Sequence, residues 1–258
     1  MHRKPAGTVL GAALGLALAF PTLAQTAPAP TPEWTGSGEF GLTSASGNTR
    51  SQNLNAQLKA GLNDGNWHHN ATVFWLRNRG ETKPGNGVTP GNQEMRDTAN
   101  RYGLGLSSAY DLSSRSYLVG GVRYDHDNFA TYLWRGVASV GYGYRWFDDA
   151  RMRLLTEIGP GFRRSHDKKT GKVENEAIGR GFADFSYRLT DNTKLLDSVL
   201  VESGRLGTFV QNDLGVQVAM SQRLALKLGY QVRYNSKVDP GFKKTDTVTM
   251  LNLVYAVE

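Results

Sequence analysis

The chain has 258 residues, with 30 Lys and Arg against 23 Asp and Glu, and no cysteine. That length holds one large domain or two small ones, and the missing cysteine excludes a disulfide framework and any thiolate metal centre. A mean hydropathy of −0.44 is too polar for a bundle of membrane helices, and the modest basic excess, spread along the chain, does not point to nucleic acid.

The first segment reads as a targeting signal. MHRK is a short cationic start, GTVLGAALGLALAF an apolar run too short for a stop-transfer helix, and PTLAQ offers cleavage after Ala24 with Thr22 at the minus-three position. Residues 1–24 are expected to be a secretory signal peptide. Without Arg3 and Lys4 the remaining chain carries 28 basic against 23 acidic residues. Residues 25–33, QTAPAPTPE, are rich in Pro and Ala and read as an extended periplasmic tail. This leaves 34–258 for the folded part.

From Trp34 onward the sequence alternates with period two, the pattern of strands whose two faces meet different environments. LNAQLKAGL (54–62) puts Leu54, Ala56, Leu58, Ala60 and Leu62 opposite Asn55, Gln57, Lys59 and Gly61. RYGLGLSSAYDL (101–112), WRGVASVGYGYRW (134–146), NDLGVQVAM (212–220) and LALKLGYQVRYN (224–235) repeat it. In the last, Leu224, Leu226, Leu228, Tyr230, Val232 and Tyr234 share one face, and Lys227, Gln231 and Arg233 lie on the other. About twelve such segments follow one another, centred near Phe40, Ala56, Val73, Leu106, Gly121, Val140, Ile158, Asp184, Val199, Val216, Gly229 and Leu251. Helical periodicity is missing throughout.

The connections alternate in length. NDGN (63–66), LSSR (112–115), FDDA (147–150), LTDN (189–192) and SQR (221–223) are tight turns. Between them lie longer links at 79–95, 125–131, 164–176 and 237–245, with 45–50 and 202–207 as shorter members of that set. Short turns at one end and long loops at the other predict an all-β, transmembrane, antiparallel up-and-down β-barrel of about twelve strands in a Gram-negative outer membrane. A bilayer leaves no other way for strands to satisfy their backbone groups. A soluble β-sandwich also alternates, but it does not require that turn–loop rhythm. Trp34, Trp67, Trp146, Tyr110, Tyr187 and Tyr255 fall near the short turns, and Trp134, Tyr124, Tyr234 and Phe162 near the long loops, as two aromatic girdles would.

WTGSGEFGLTSASGNTR (34–50) and YNSKVDPGFKKTDTVTMLNLVY (234–255) resemble the first and last hairpins of a family of salt-induced outer-membrane proteins long catalogued as a domain of unknown function. Asp239-Pro240-Gly241 followed by Lys243-Lys244-Thr245-Asp246-Thr247 is the more specific match, and the likeness runs from about Trp34 to Tyr255. It implies an outer-membrane barrel and a role in salt or envelope adaptation, and supplies no catalytic motif. The chain ends VYAVE, whereas such barrels usually end on the aromatic residue read by the assembly machinery; Tyr255 lies three residues early.

The polar parity, turned inward, lines a lumen with Lys59, Arg101, Arg123, Arg135, Arg145, Arg153, Arg163, Arg180, Arg188, Lys227 and Arg233. Glu39, Asp125, Glu157, Asp184, Asp213 and Asp246 are their acidic counterparts. Such a wall suits a narrow diffusion channel with weak anion preference, or a structural barrel closed by a cross-strand salt-bridge lattice, which Arg180 and Asp184 on one face of a single strand suit. Asp125-His126-Asp127 offers an acid and an imidazole at a strand end, as in omptin-like hydrolases, but nothing positions a base. No catalytic residue is assigned and no phospholipase-type Ser–His pair is legible; His68 and His69 read as belt residues. A lone His166 is not a metal site, and no cofactor is expected. Expected partners are outer-membrane lipid, lipopolysaccharide (through Arg163, Arg164, Lys168 and Lys169) and the barrel-assembly machinery, with the protein a monomer.

Overall fold

A computed structural model describes residues 31–45, 51–81, 94–241 and 243–257. The expected signal peptide, residues 25–30 of the expected tail, most of the 45–50 and 79–95 links and the final Glu258 lie outside the described residues. Every regular element among them is a strand: β1 Glu33–Ala45, β2 Ser51–Asp64, β3 Trp67–Glu81, β4 Met95–Asp111, β5 Ser116–Asp127, β6 Tyr132–Asp148, β7 Met152–Asp167, β8 Val173–Arg188, β9 Thr193–Gly204, β10 Gly207–Ala219, β11 Leu224–Asn235 and β12 Thr245–Val257. Each holds one of the twelve expected centres. They pair antiparallel in chain order and close between β1 and β12 into a barrel.

The alternation drives this arrangement. Phe40, Leu58, Val122, Val140, Ile158, Leu228 and Leu251 point outward and are exposed, an apolar belt whose burial is completed by hydrocarbon. The two aromatic rows flank it. Trp67 packs against Tyr110 with centroids 4.9 Å apart at the short-turn end, and Tyr124 stacks on Trp134 at the long-loop end. The closed ladder leaves no strand edge for the membrane to solvate.

The strands run to 17 residues, beyond the 9–11 that a tilted span needs, so the wall projects past the belt on the long-loop side. There Arg77 points outward and grips Asp97 with two hydrogen bonds of 3.0 and 3.1 Å. This corrects two expected loops. In 164–176 the ladder continues through Asp167 and resumes at Val173, and in 202–207 the strands run to Gly204 and from Gly207. Polar side chains there face the lumen instead of water, which composition alone does not distinguish.

The tight turns are as read. Asp64 pairs with Trp67 around Gly65 and Asn66, and Gly65 sits at φ 59, a left-handed conformation that costs a side-chain-bearing residue about 1–2 kcal/mol. Gly65→Val should therefore lower stability by about that amount, read as a shift in the urea midpoint of the refolded barrel. At the β6–β7 turn Asp149 accepts backbone N–H bonds of 2.8 Å from Arg151 and Met152, which hold its carboxyl below the usual carboxylate range.

Candidate functional site

Twelve strands enclose a lumen wider than one that two rows of side chains can fill, and the inward parity furnishes it unevenly. Toward the short-turn end the ion pairs join strands one or two places apart. Arg145 meets Asp111 at 2.7 Å, Arg153 meets Asp184 at 2.8 Å, and Arg180 meets Glu157 at 2.8 Å. Glu39 takes Lys227 at 3.0 Å and Lys59 at 3.6 Å. These bonds hug the wall. Arg180 and Asp184, on one face of β8, each reach across to β7, where the neighbouring strand offers the shorter path. Tyr117 donates to Glu157 at 3.2 Å, and its ring lies over Gly143, where a Cβ would fall 2.1 Å from it.

Between these pairs lies a cavity of about 640 Å³ lined by Glu39, Lys59, Phe74, Arg101, Arg153, Phe182, Asp184, Lys194, Asp213 and Lys227 among others. Five of those side chains are cationic and three are carboxylates, so the vestibule carries a small positive excess.

Toward the long loops the bonds cross the barrel. β5 and β11 are six places apart in the ring, hence opposite walls, and Arg233 on β11 reaches Asp127 on β5 at 3.1 Å. Arg101 on β4 donates to Gln231 on β11 at 2.6 Å. Arg123 on β5 pairs with Glu202 on β9 at 2.7 Å and with Asp125 on its own strand. Arg163 pairs with Glu176 and donates to the Gly207 carbonyl at 2.7 Å. At the centre Phe209, fully buried, receives the guanidinium groups of Arg123, Arg135 and Arg233 at 5.1–5.5 Å from its ring centroid. Cation–π contacts of this kind contribute about 0.5–2 kcal/mol each. Leu76, Val137 and Ile178 are buried too. Side chains of the described residues therefore span the lumen at this level, with a small outer pocket between Asp125, Tyr132, Arg135, Arg233 and Lys243.

The contact ion pairs of this constriction are shared unevenly among its arginines. Asp125 and Glu202 are taken by Arg123, Glu176 by Arg163, and Asp127 by Arg233. Among the described residues no carboxylate forms an ion pair with Arg101 or Arg135. Both are less than a tenth exposed, and the Nε of each has no hydrogen-bond partner. Two guanidinium groups thus stand in a low-dielectric layer without a direct ion pair, their charge offset at longer range, Arg101 by Asp127, Asp213 and Asp246 and Arg135 by Glu202, an arrangement weaker than contact pairing.

The ten lumen residues expected from sequence all carry inward side chains, split between the wall lattice and the constriction (Arg101, Arg123, Arg233). Sequence reasoning missed Phe209, Glu202 and Glu176, because their segments looked like loop; extending the inward parity of Asp213 and Gln211 back by two would have found Phe209. The hydrolase alternative loses its geometry. Asp125 faces the lumen on Arg123, whereas His126 faces outward and stacks on Tyr102 at 4.8 Å. A Ser–His pair, not legible in the sequence, does form outside: Ser108 Oγ lies 2.9 Å from His69 Nδ1. They are direct cross-strand partners, and the backbone N–H groups beside them belong to the ladder, leaving none to stabilise an oxyanion. Arg163, expected to meet lipopolysaccharide, is instead buried against Glu176, and Lys168 donates to the Asn128 carbonyl at 2.6 Å.

Residues 38–257 match the model of the family described as "Protein of unknown function, DUF481". The chain belongs to that family. It is 28% identical over 219 residues to the "Uncharacterized protein YdiY" of Escherichia coli (strain K12), covering 84% of this chain and 81% of the relative. Among solved structures the NanC porin superposes with a TM-score of 0.51 at 11% identity, covering 88% of this chain and all of that one. The translocator domain of the autotransporter NalP from Neisseria meningitidis gives 0.45 at 14%, covering 90% of each. At such identities the NanC likeness bears on the fold alone, a twelve-stranded barrel.

Proposed function

We propose that the protein is an outer-membrane channel, narrow and weakly anion-preferring, constricted at its long-loop end by the layer around Phe209, and not an enzyme. The observation that carries this reading is the pair of buried guanidinium groups without a direct ion pair, Arg101 and Arg135, at the narrowest level. A permeating anion is drawn to them, and a cation meets two charges that are offset only at longer range. The likeness of the first and last hairpins to salt-induced outer-membrane proteins supports a role in salt or osmotic adaptation of the envelope. The test is planar-bilayer recording under a salt gradient. The native barrel should show small steps with a reversal potential on the anion side, and Arg101→Gln/Arg135→Gln should move that potential to zero or beyond. A silent bilayer from correctly folded protein would sink the channel.

The bonds from Arg233 to Asp127 and from Arg101 to Gln231, which tie opposite walls, favour a second reading: a structural barrel whose lumen stays shut. That reading requires silence in both the native and the double-substituted protein, with an envelope defect on deletion.

A further inference from the structure

Along β9 the outward face reads Leu195, Asp197, Val199, Val201, and the cross-strand partners of Asp197 are Phe185 and Leu214. Arg77, Arg79, Asp97 and Arg164 also face outward, but toward the long loops, and His126 stands on Tyr102 at the outer aromatic row, while His69 lies one pair inside Trp67. Asp197, one pair inside Tyr187, is a carboxylate within the belt, where an ionisable group is costly and marks function by default. Asn212 Nδ2 donates to its Oδ1 at 2.6 Å, and no cation pairs with it among the described residues. A carboxylate oxygen is left facing the bilayer.

Next to it the wall is hollowed. A groove of about 710 Å³ runs over β6–β9, floored by Gly181 and Ala183, flanked by Ile158 and Val199, and reaching Tyr144 and Trp146 of the short-turn girdle. Its lining is almost wholly apolar. Ala183 pairs with Val199, and the next pair facing the same way is Phe185 with Asp197, so the carboxylate stands on the groove's edge about one side-chain step inside the girdle.

We propose that this face binds one phospholipid of the short-turn-side leaflet, with an acyl chain in the groove and a primary-ammonium headgroup on Asp197. The chemistry selects the occupant. A carboxylate with a free acceptor oxygen favours a cation that also donates; an –NH₃⁺ group has three donors. A quaternary ammonium has charge without donors, and an anionic headgroup is repelled. The order of preference is therefore phosphatidylethanolamine, then phosphatidylcholine, then phosphatidylglycerol. A second copy of the chain fits less well, because among the described residues it brings no outward Lys or Arg at this depth. The inference rests on the barrel being membrane-embedded, and not on whether it conducts.

The experiment is native mass spectrometry of barrels refolded in mixed vesicles of the three lipids and extracted in mild detergent. The native protein should retain one phosphatidylethanolamine about tenfold more often than either competitor, the scale of one charge-assisted hydrogen bond. Asp197→Asn should abolish that preference, Asp197→Glu should keep it, and Arg164→Gln, on the same outer face but beyond the belt, should leave it untouched. Equal retention of all three lipids by the native barrel, or an unchanged preference in Asp197→Asn, overturns the site. So does a stable dimer lost on Asp197→Asn, which would assign the face to a second copy. Loss of the heat-dependent gel shift in native protein would instead strike the membrane reading beneath it.

Discussion

Replacing Phe209 by alanine should raise single-channel conductance several-fold in planar bilayers while leaving the heat-dependent gel shift of the folded barrel intact. The ring is the shared platform for Arg123, Arg135 and Arg233. Without it each guanidinium loses a contact of about 0.5–2 kcal/mol and is free to relax toward the wall, where water fills the vacated centre. The ladder that holds the barrel does not pass through this side chain, so closure of the wall is unaffected. Unchanged conductance in a folded variant would mean that Leu76, Val137 and Ile178 close the passage by themselves. Phe209→Leu is the control: it keeps an apolar plug without a π face and should fall between the two.

Glu202 should prove the most stability-sensitive position in the lumen. It is essentially unexposed and shares Arg123 with Asp125. Glu202→Gln keeps its shape and removes its charge, leaving Arg123 with one carboxylate and taking from Arg135 the anion that offsets it at longer range. Breaking a buried pair on one side costs about 3–5 kcal/mol, read as a lowered urea midpoint for the refolded barrel. Arg123→Gln/Glu202→Gln should recover part of that loss, since contacting residues couple rather than add. If Glu202→Gln unfolds at the native midpoint, water reaches this layer freely and the constriction is not the dry seal its burial implies.

The barrel was legible because its two faces differ in chemistry at every second residue, and a bilayer outside with a wet lumen inside is what such a chain satisfies. Lys227 and Arg233 in β11 show the strength and the limit of that signal. Both were placed inward from parity alone. One lies flat against the wall on Glu39, and the other spans the barrel to Asp127. Parity fixes the side of the sheet, but the partner depends on the stagger between strands that are neighbours only after closure. Phe209 and Glu202 escaped for another reason. They stand near the long-loop end, where polar Thr208 and Ser203 follow the last outward valines, Val210 and Val201, so the alternation fades while the ladder continues. Asp197 breaks the pattern inside the belt, and Leu196 and Leu200 on the inward face of the same strand blur it further.

The seam between the first and last strands is short. Only Gly36–Phe40 pair with Leu253–Val257, whereas the whole of β1 from Glu33 to Ala45 pairs with β2. Joining that seam brings together the two ends of the folded chain, the most non-local step in a topology otherwise made of neighbouring hairpins. Such pairings form late, because the chain must lose the freedom of the intervening loop before any bond repays it. Assembly should therefore pass through an open curled sheet, with Asn252 and the upper half of β12 the last part of the wall to find a place beside β1. The same few bonds make this line the natural hinge if the wall ever parts sideways.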